Sequence, residues 1–191
     1  MINFKQKFEI IDYNKFINYF IVLYSFCLPI SKAGTTFSAI FLILLWFIES
    51  NFKAKISIIK SNKFMIVLGL FLLLSFLSIF WSSDTSFAVD YIRKYWHFLI
   101  IPIIYTSLDR SYIKHVFSAF LLGMFISEIV SYGIFFEFWT KEGVSPNDPS
   151  PFMDHTNYSI YLAFTVFILM HRILFEPLIK WKIMYGVFML F

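Results

Sequence analysis

Cysteine is almost missing from this chain: Cys27 is the only one. A lone cysteine excludes an intrachain disulfide and a cysteine-built metal site. Its place inside an apolar run makes it a small buried hydrophobe. Charge is also scarce, at 15% of the 191 residues, where ordinary soluble domains carry about a quarter. Proline and glycine number six each, and no low-complexity linker or internal repeat is visible. No glycine-rich phosphate loop, no serine–histidine–aspartate order and no metal-ligand spacing is present. Neither a metal nor a cofactor is therefore expected. What fills the space is hydrocarbon: 59% of the residues are hydrophobic, 27 are phenylalanine, and the mean hydropathy is +0.73. Lipid, not water, is the solvent such a composition fits.

The fold class read from this pattern is all-α, a polytopic transmembrane helical bundle. Crossing the hydrocarbon core takes about 20 mostly apolar residues, with roughly 17 still sufficient. Six runs qualify or nearly do, at residues 16–30, 36–49, 64–81, 95–107, 115–139 and 158–175. A seventh begins at Ile183. The second and fourth are short and need flanking residues or partial re-entry. Trp46, Trp81, Trp96, Trp139 and Trp181 fall near run ends, where amphipathic rings favour the headgroup level. The charged tail before the first run resembles a signal peptide, but further runs follow and no A-x-A site appears, so the first helix is read as retained. Because the chain stops at Phe191, inside the seventh run, it is expected to be one transmembrane domain, residues 1–191, truncated from a longer protein.

Net charge is +4 with pI near 9.1. The cations sit in short loops between apolar runs, which marks membrane topology rather than a nucleic-acid surface. With a cytoplasmic amino terminus, twelve of the sixteen lie inside: Lys5, Lys7, Lys15, Lys53, Lys55, Lys60, Lys63, Arg110, Lys114, Arg172, Lys180 and Lys182. Outside are only Lys32, Arg93, Lys94 and Lys141. That asymmetry is the positive-inside rule, and it places the loop 140–156 on the outer, periplasmic face. The outer face is otherwise acidic, with Asp84, Asp90, Glu137, Glu142, Asp148 and Asp154.

Four positions stand out chemically. Arg93 and Lys94 are adjacent cations on the disfavoured outer side, in Asp90-Tyr91-Ile92-Arg93-Lys94-Tyr95-Trp96-His97. They either snorkel to lipid phosphates or pair with Asp90, or they form an anion site in which a planar guanidinium meets phosphate oxygens. His155 follows Asp154 where the outer loop meets the sixth run; it is either structural or a general base with a pKa near neutrality. Glu128 lies thirteen residues past His115, roughly 20 Å along a helix. A carboxyl that deep marks function by default, and Met124, Ser131 and Tyr132 share its face. A hydrogen-bonded packing role is the alternative to a proton relay. His171 and Arg172 read as anchors at the inner end of the sixth run. The acceptor pattern Asn157-Tyr158-Ser159 hugs the membrane and is read as chance.

Several segments together resemble the O-antigen ligase and O-antigen polymerase superfamily of bacterial envelope enzymes. The first run ends in Leu28-Pro29-Ile30-Ser31 and turns directly into the second. The third closes with Leu77-Ser78-Ile79-Phe80 and exits through Trp81-Ser82-Ser83-Asp84. Tyr91-Ile92-Arg93-Lys94-Tyr95 follows, then a short apolar run holding Pro102, and the outer loop passes through Asp154-His155 into the sixth run. The likeness covers essentially the whole chain but only the front half of a usual member, without the large periplasmic loop. It implies a multi-pass protein of the cell inner membrane that transfers a glycan from an undecaprenyl-pyrophosphate carrier to a glycolipid or glycan acceptor. Arg93 and Lys94 would then meet the pyrophosphate and His155 the acceptor hydroxyl, although His155 has no counterpart in the family's pattern.

Two other classes fit the same residues. One is a transporter or lipid-linked-glycan flippase fragment, with Glu128 as coupling residue. The other is an inactive truncated remnant. The charge asymmetry makes a prediction common to all three. On a Cys27→Ser background in intact cells, an impermeant thiol reagent should label Asp148→Cys and spare Lys55→Cys, and the reverse pattern would invert the topology.

Overall fold

A main chain wrapped in apolar side chains has no water to bond, so it satisfies its N–H and C=O groups internally as helix. In the computed structural model, residues 13–190 are described, and they are helical almost throughout. The elements are α1 (Tyr13–Cys27), α2 (Lys32–Ile48), α3 (Phe52–Ser61), α4 (Lys63–Leu77), α5 (Thr85–Arg93), α6 (Ile100–Ser107), α7 (Ile113–Phe135), α8 (His155–Phe175) and α9 (Ile179–Leu190). Single 3-10 turns occupy Ser78–Trp81, Lys94–Leu99 and Arg110–Tyr112. Among the described residues the only extended pairing is an isolated bridge between Ser145 and Asp148. The tail cations Lys5 and Lys7, with the terminal Phe191, lie outside the described residues.

Three helices are long and apolar enough to cross a membrane: Lys63–Trp81 (19 residues, mean hydropathy 2.6), Arg110–Phe135 (26 residues) and His155–Phe175 (21 residues). A fourth is counted if the bent pair of α2 and α3 is one span. Six complete spans are thus not formed, and each shortfall has a local cause. The first run stops at Cys27, two residues before Pro29, which has no N–H to continue a helix. Its 15 residues reach only about 22 Å, against roughly 30 Å of hydrocarbon. The fourth run opens as the 3-10 turn Lys94–Leu99 and leaves α6 just eight residues.

The second run breaks at Ser50, whose φ of 57° turns the chain so that α3 departs from α2 at 113°. Lys55 of α3 pins this bend. It is 4% exposed; its Nζ lies 2.9 Å from the Glu49 carboxylate, donates to the Trp46 carbonyl at 2.6 Å and stands 4.6 Å over the Trp46 ring. A cation here neutralises the exposed carbonyls at the end of α2. The fifth run stops at Phe135 because the chain doubles back. Phe138 N–H donates to the Gly133 carbonyl and Glu137 N–H to that of Ile134, with Glu137 at φ 60°. This is the Schellman pattern, with glutamate in the left-handed position that glycine usually takes.

The described chain divides into two compact units. The first comprises Met1–Tyr19 and Ala39–Asp109, the second Phe20–Ser38 and Arg110–Phe191. In the first, buried Asn18 holds the chain after α6: its Nδ2 donates to the Ser107 carbonyl at 3.2 Å and its Oδ1 accepts from Asp109 N–H at 2.9 Å. Trp46 Nε1 donates to Thr106 Oγ1 at 2.9 Å, and Asn62 Nδ2 to the Tyr105 hydroxyl at 2.8 Å. Asn62 also accepts from Phe64 N–H, capping α4. Met65 is the one buried residue of α4, and most of its other side chains are exposed, as on a lipid-facing helix.

In the second unit α7 is the central element. Phe120, Met124, Ser127, Glu128, Ser131 and Ile134 form one buried stripe at helical spacing. Ser25 Oγ donates to the Val116 carbonyl at 2.9 Å. At Gly123 the helix presses on the turn after α1, where an added Cβ would meet the Phe26 carbonyl and Pro29 Cγ at 2.6 Å.

Two consequences are measurable. Gly123→Ala should lower the melting temperature in detergent, since overpacking costs about 1–3 kcal/mol. Gly69→Ala, with nothing within 4 Å, should leave it unchanged or higher; equal melting of both variants would contradict the close approach. In thiol labelling, the burial of Lys55 makes Lys55→Cys silent on either side of a membrane. Exposed Lys60 on the same helix is the informative probe, and Lys60→Cys should be spared in intact cells and labelled once they are opened.

Candidate functional site

The two cations singled out in the sequence sit at the end of α5. Asp84 accepts from Phe87 N–H at 2.9 Å and starts this helix. Nine residues on, its last turn presents Arg93, where a cation complements the helix dipole. Arg93 pairs with Asp90 at 3.3 Å, both side chains being largely exposed (76% and 68%). Exposed pairs of this kind contribute only about 0–1 kcal/mol, so a stronger anion can replace Asp90. Lys94 is exposed, with Nζ 5.7 Å above the Tyr91 ring. His97 is held below its ordinary pKa by desolvation, so near pH 7 it is uncharged and the cationic pair stands without it. Arg93 borders an open cleft of about 620 Å³ whose walls are Leu72, Phe76, Ile79, Val89, Trp96 and Leu99. The Arg93 guanidinium thus stands beside an apolar furrow within the first unit.

Glu128 and His155 belong to the second unit. Glu128 is 7% exposed, and its Oε2 has no hydrogen-bond partner among the described residues; the same holds for fully buried Ser127 Oγ. Met124 and Ser131 share its buried face as the spacing implies, and Tyr132, 38% exposed, lines the same cleft. The Tyr158 hydroxyl of α8 lies among Ser127, Ser131 and Glu128. Glu128 also lines a large open cleft, about 1350 Å³, formed by α7, α9 and the turn through Phe136, Phe138 and Trp139. The Trp139 indole folds over Gly133 and donates from Nε1 to the Val130 carbonyl at 3.1 Å.

Sequence reasoning missed this cleft and the role of Arg172 at its edge. Arg172 does not merely anchor a helix end. Its guanidinium donates to Ser118 Oγ at 2.8 Å, the Lys114 carbonyl at 3.3 Å and the Tyr185 hydroxyl at 3.2 Å, tying α8 to α7 and α9. No local signal marks residues this far apart in sequence as partners.

His155 is the first residue of α8 and is exposed. Its neighbour Asp154 does not orient the imidazole. It caps the helix instead, accepting from Asn157 Nδ2 at 2.8 Å and Asn157 N–H at 3.3 Å. That commits Asn157 of the acceptor pattern as well. In the loop before α8, Lys141 Nζ donates to the Pro151 carbonyl and lies 4.5 Å over the Phe152 ring, so this cation is engaged within its own loop. The structure therefore brings Glu128 together with Ser127, Ser131 and Tyr158, while Arg93 pairs with Asp90 and Lys94 lies over Tyr91. It does not join His155 to a carboxylate.

No protein-family model, curated protein or solved structure matches this chain. The functional reading rests on residues and geometry.

The Asp154 cap yields a pH prediction. Hydrogen bonds from the Asn157 side chain, then from its backbone, hold the Asp154 carboxyl below its ordinary 3.8. A carboxyl lowered by folding stabilises the protein above its unfolded pKa, and the gain is lost as pH falls through the folded value. Asp154→Asn should thus melt slightly lower than wild type at pH 7, and the gap should close as pH falls below about 3.8. Thermal melts followed by circular dichroism at both pH values would check it; a pH-independent gap would contradict the charged cap.

Proposed function

We propose that this chain is a multi-pass protein of the bacterial inner membrane, amino terminus in the cytoplasm, serving glycan transfer of the O-antigen ligase or polymerase kind. The observation that carries the reading is Arg93, exposed beside an apolar cleft within the first unit, with Lys94 next to it in the chain. An undecaprenyl-pyrophosphate carrier has the matching two parts, a doubly charged head and a long hydrocarbon tail. The guanidinium fork suits pyrophosphate oxygens, and the weak Asp90 pair gives way to them. In the reaction, an acceptor hydroxyl oxygen forms the new glycosidic bond while the bond from anomeric carbon to pyrophosphate breaks. The hydroxyl proton passes to a base, and Arg93 stabilises the charge gathering on the departing pyrophosphate.

The second reading, a transporter or flippase of lipid-linked glycan, is favoured by a different observation. Glu128 is an ionisable group buried in an apolar helix and open to a cleft.

The two readings part at Arg93. A charge-assisted contact to pyrophosphate contributes about 1.5–3 kcal/mol, so Arg93→Ala should reduce glycan transfer roughly ten- to hundredfold. Arg93→Lys keeps the charge but loses the fork and should be intermediate. Transfer is read from gel mobility of the glycolipid at matched membrane levels. Wild-type banding from both variants would reduce Arg93 to a headgroup anchor and remove the support for the enzyme.

A further inference from the structure

We propose that the cleft of the second unit is a binding site for a lipophilic cation, seated on Glu128. Glu128 is mismatched to its surroundings. Glu128 is more than nine-tenths buried, lines the cleft, and leaves Oε2 without a hydrogen-bond partner among the described residues. A buried carboxyl without a donor or counter-charge is costly, by several kcal/mol if ionised. The buried Lys55 by contrast has its counter-charge within its own unit, the Glu49 carboxylate at 2.9 Å. Here the completing group comes from outside.

The walls specify its chemistry. Phe125, Tyr132, Phe136, Trp139, Trp181 and Phe188 surround the opening. Aromatic faces attract cations, and the attraction grows when the site is dry. A single carboxylate among such rings selects positive charge and rejects anions. Arg172 does not reverse this selection. Three of its N–H groups go to Ser118, the Lys114 carbonyl and Tyr185 and hold it at the far end of the cleft, where Ser118 lies ten residues from Glu128 on α7, about 15 Å away. At about 1350 Å³ the cleft exceeds the usual 300–1,000 Å³ of small-molecule pockets, so the ligand is bulky, with several rings or branches about its charge. This site shares no residue with the Arg93 cleft and stands or falls independently of it.

The test uses tetraphenylphosphonium as probe on the full chain in detergent micelles, by equilibrium dialysis. Saturable binding is expected, with affinity at least tenfold weaker in Glu128→Gln and unchanged in Arg93→Ala. The neutral analogue triphenylphosphine oxide should compete poorly. Should Glu128→Gln fail to fold, the wild-type protein still decides: dicyclohexylcarbodiimide should modify Glu128, and tetraphenylphosphonium should protect it. Equal affinity in wild type and Glu128→Gln, effective competition by the neutral analogue, or Glu128 left unmodified or unprotected would each overturn the proposal.

Discussion

The structure depends on one constraint: in an apolar surround, every main-chain polar group must find its partner within the protein. Helix meets it along most of the chain. Wherever helix stops, a specific side chain or a doubled-back segment takes over. Asn18 serves both the carbonyl of Ser107 and the N–H of Asp109, holding the end of α6. Lys55 covers the Trp46 carbonyl at the sharp bend between α2 and α3. The end of α7 closes on itself through Glu137, Phe138 and the indole of Trp139. These devices, rather than long uninterrupted spans, set where the chain turns.

The same constraint separates structural polar residues from candidate functional ones. Asn18, Lys55, Asn62 and Ser25 are polar residues whose bonds are made within their own unit. Glu128 differs: like the hydroxyls of Ser38, Ser107 and Ser127 its Oε2 is buried without a hydrogen-bond partner among the described residues, and it also lines a cleft. Arg93 differs in another way, as a cation left exposed beside an apolar cleft with only a weak carboxylate pair.

Much of this was legible in the sequence. Apolar runs identified the helical class, and the spacing of Met124, Glu128 and Ser131 identified the buried face of α7. Arg93 and Lys94 were visible because they are adjacent and anomalous in sign. The number of spans was not legible, because a run counts residues but not direction. Pro29 and the left-handed Glu137 each cut a run that composition alone carries through, and the left-handed Ser50 turns the chain directly after the second run. The capping role of Asp154 follows from its place at a helix start, where an aspartate serves the orphan N–H groups. The second-unit cleft was invisible because α7 and α9 meet across some fifty residues of chain, a tertiary pairing with no local signature.

The central claim is that the Arg93 cleft reads two features of one ligand, a pyrophosphate and a polyprenyl chain. It is tested most directly by comparing equilibrium binding of undecaprenyl pyrophosphate and of undecaprenol to the full chain in lipid nanodiscs. The account predicts a clear preference for the pyrophosphate that disappears when Arg93 and Lys94 are both replaced by alanine, while undecaprenol binding is unchanged. Equal binding of the two ligands, or a preference that survives the double replacement, would contradict it.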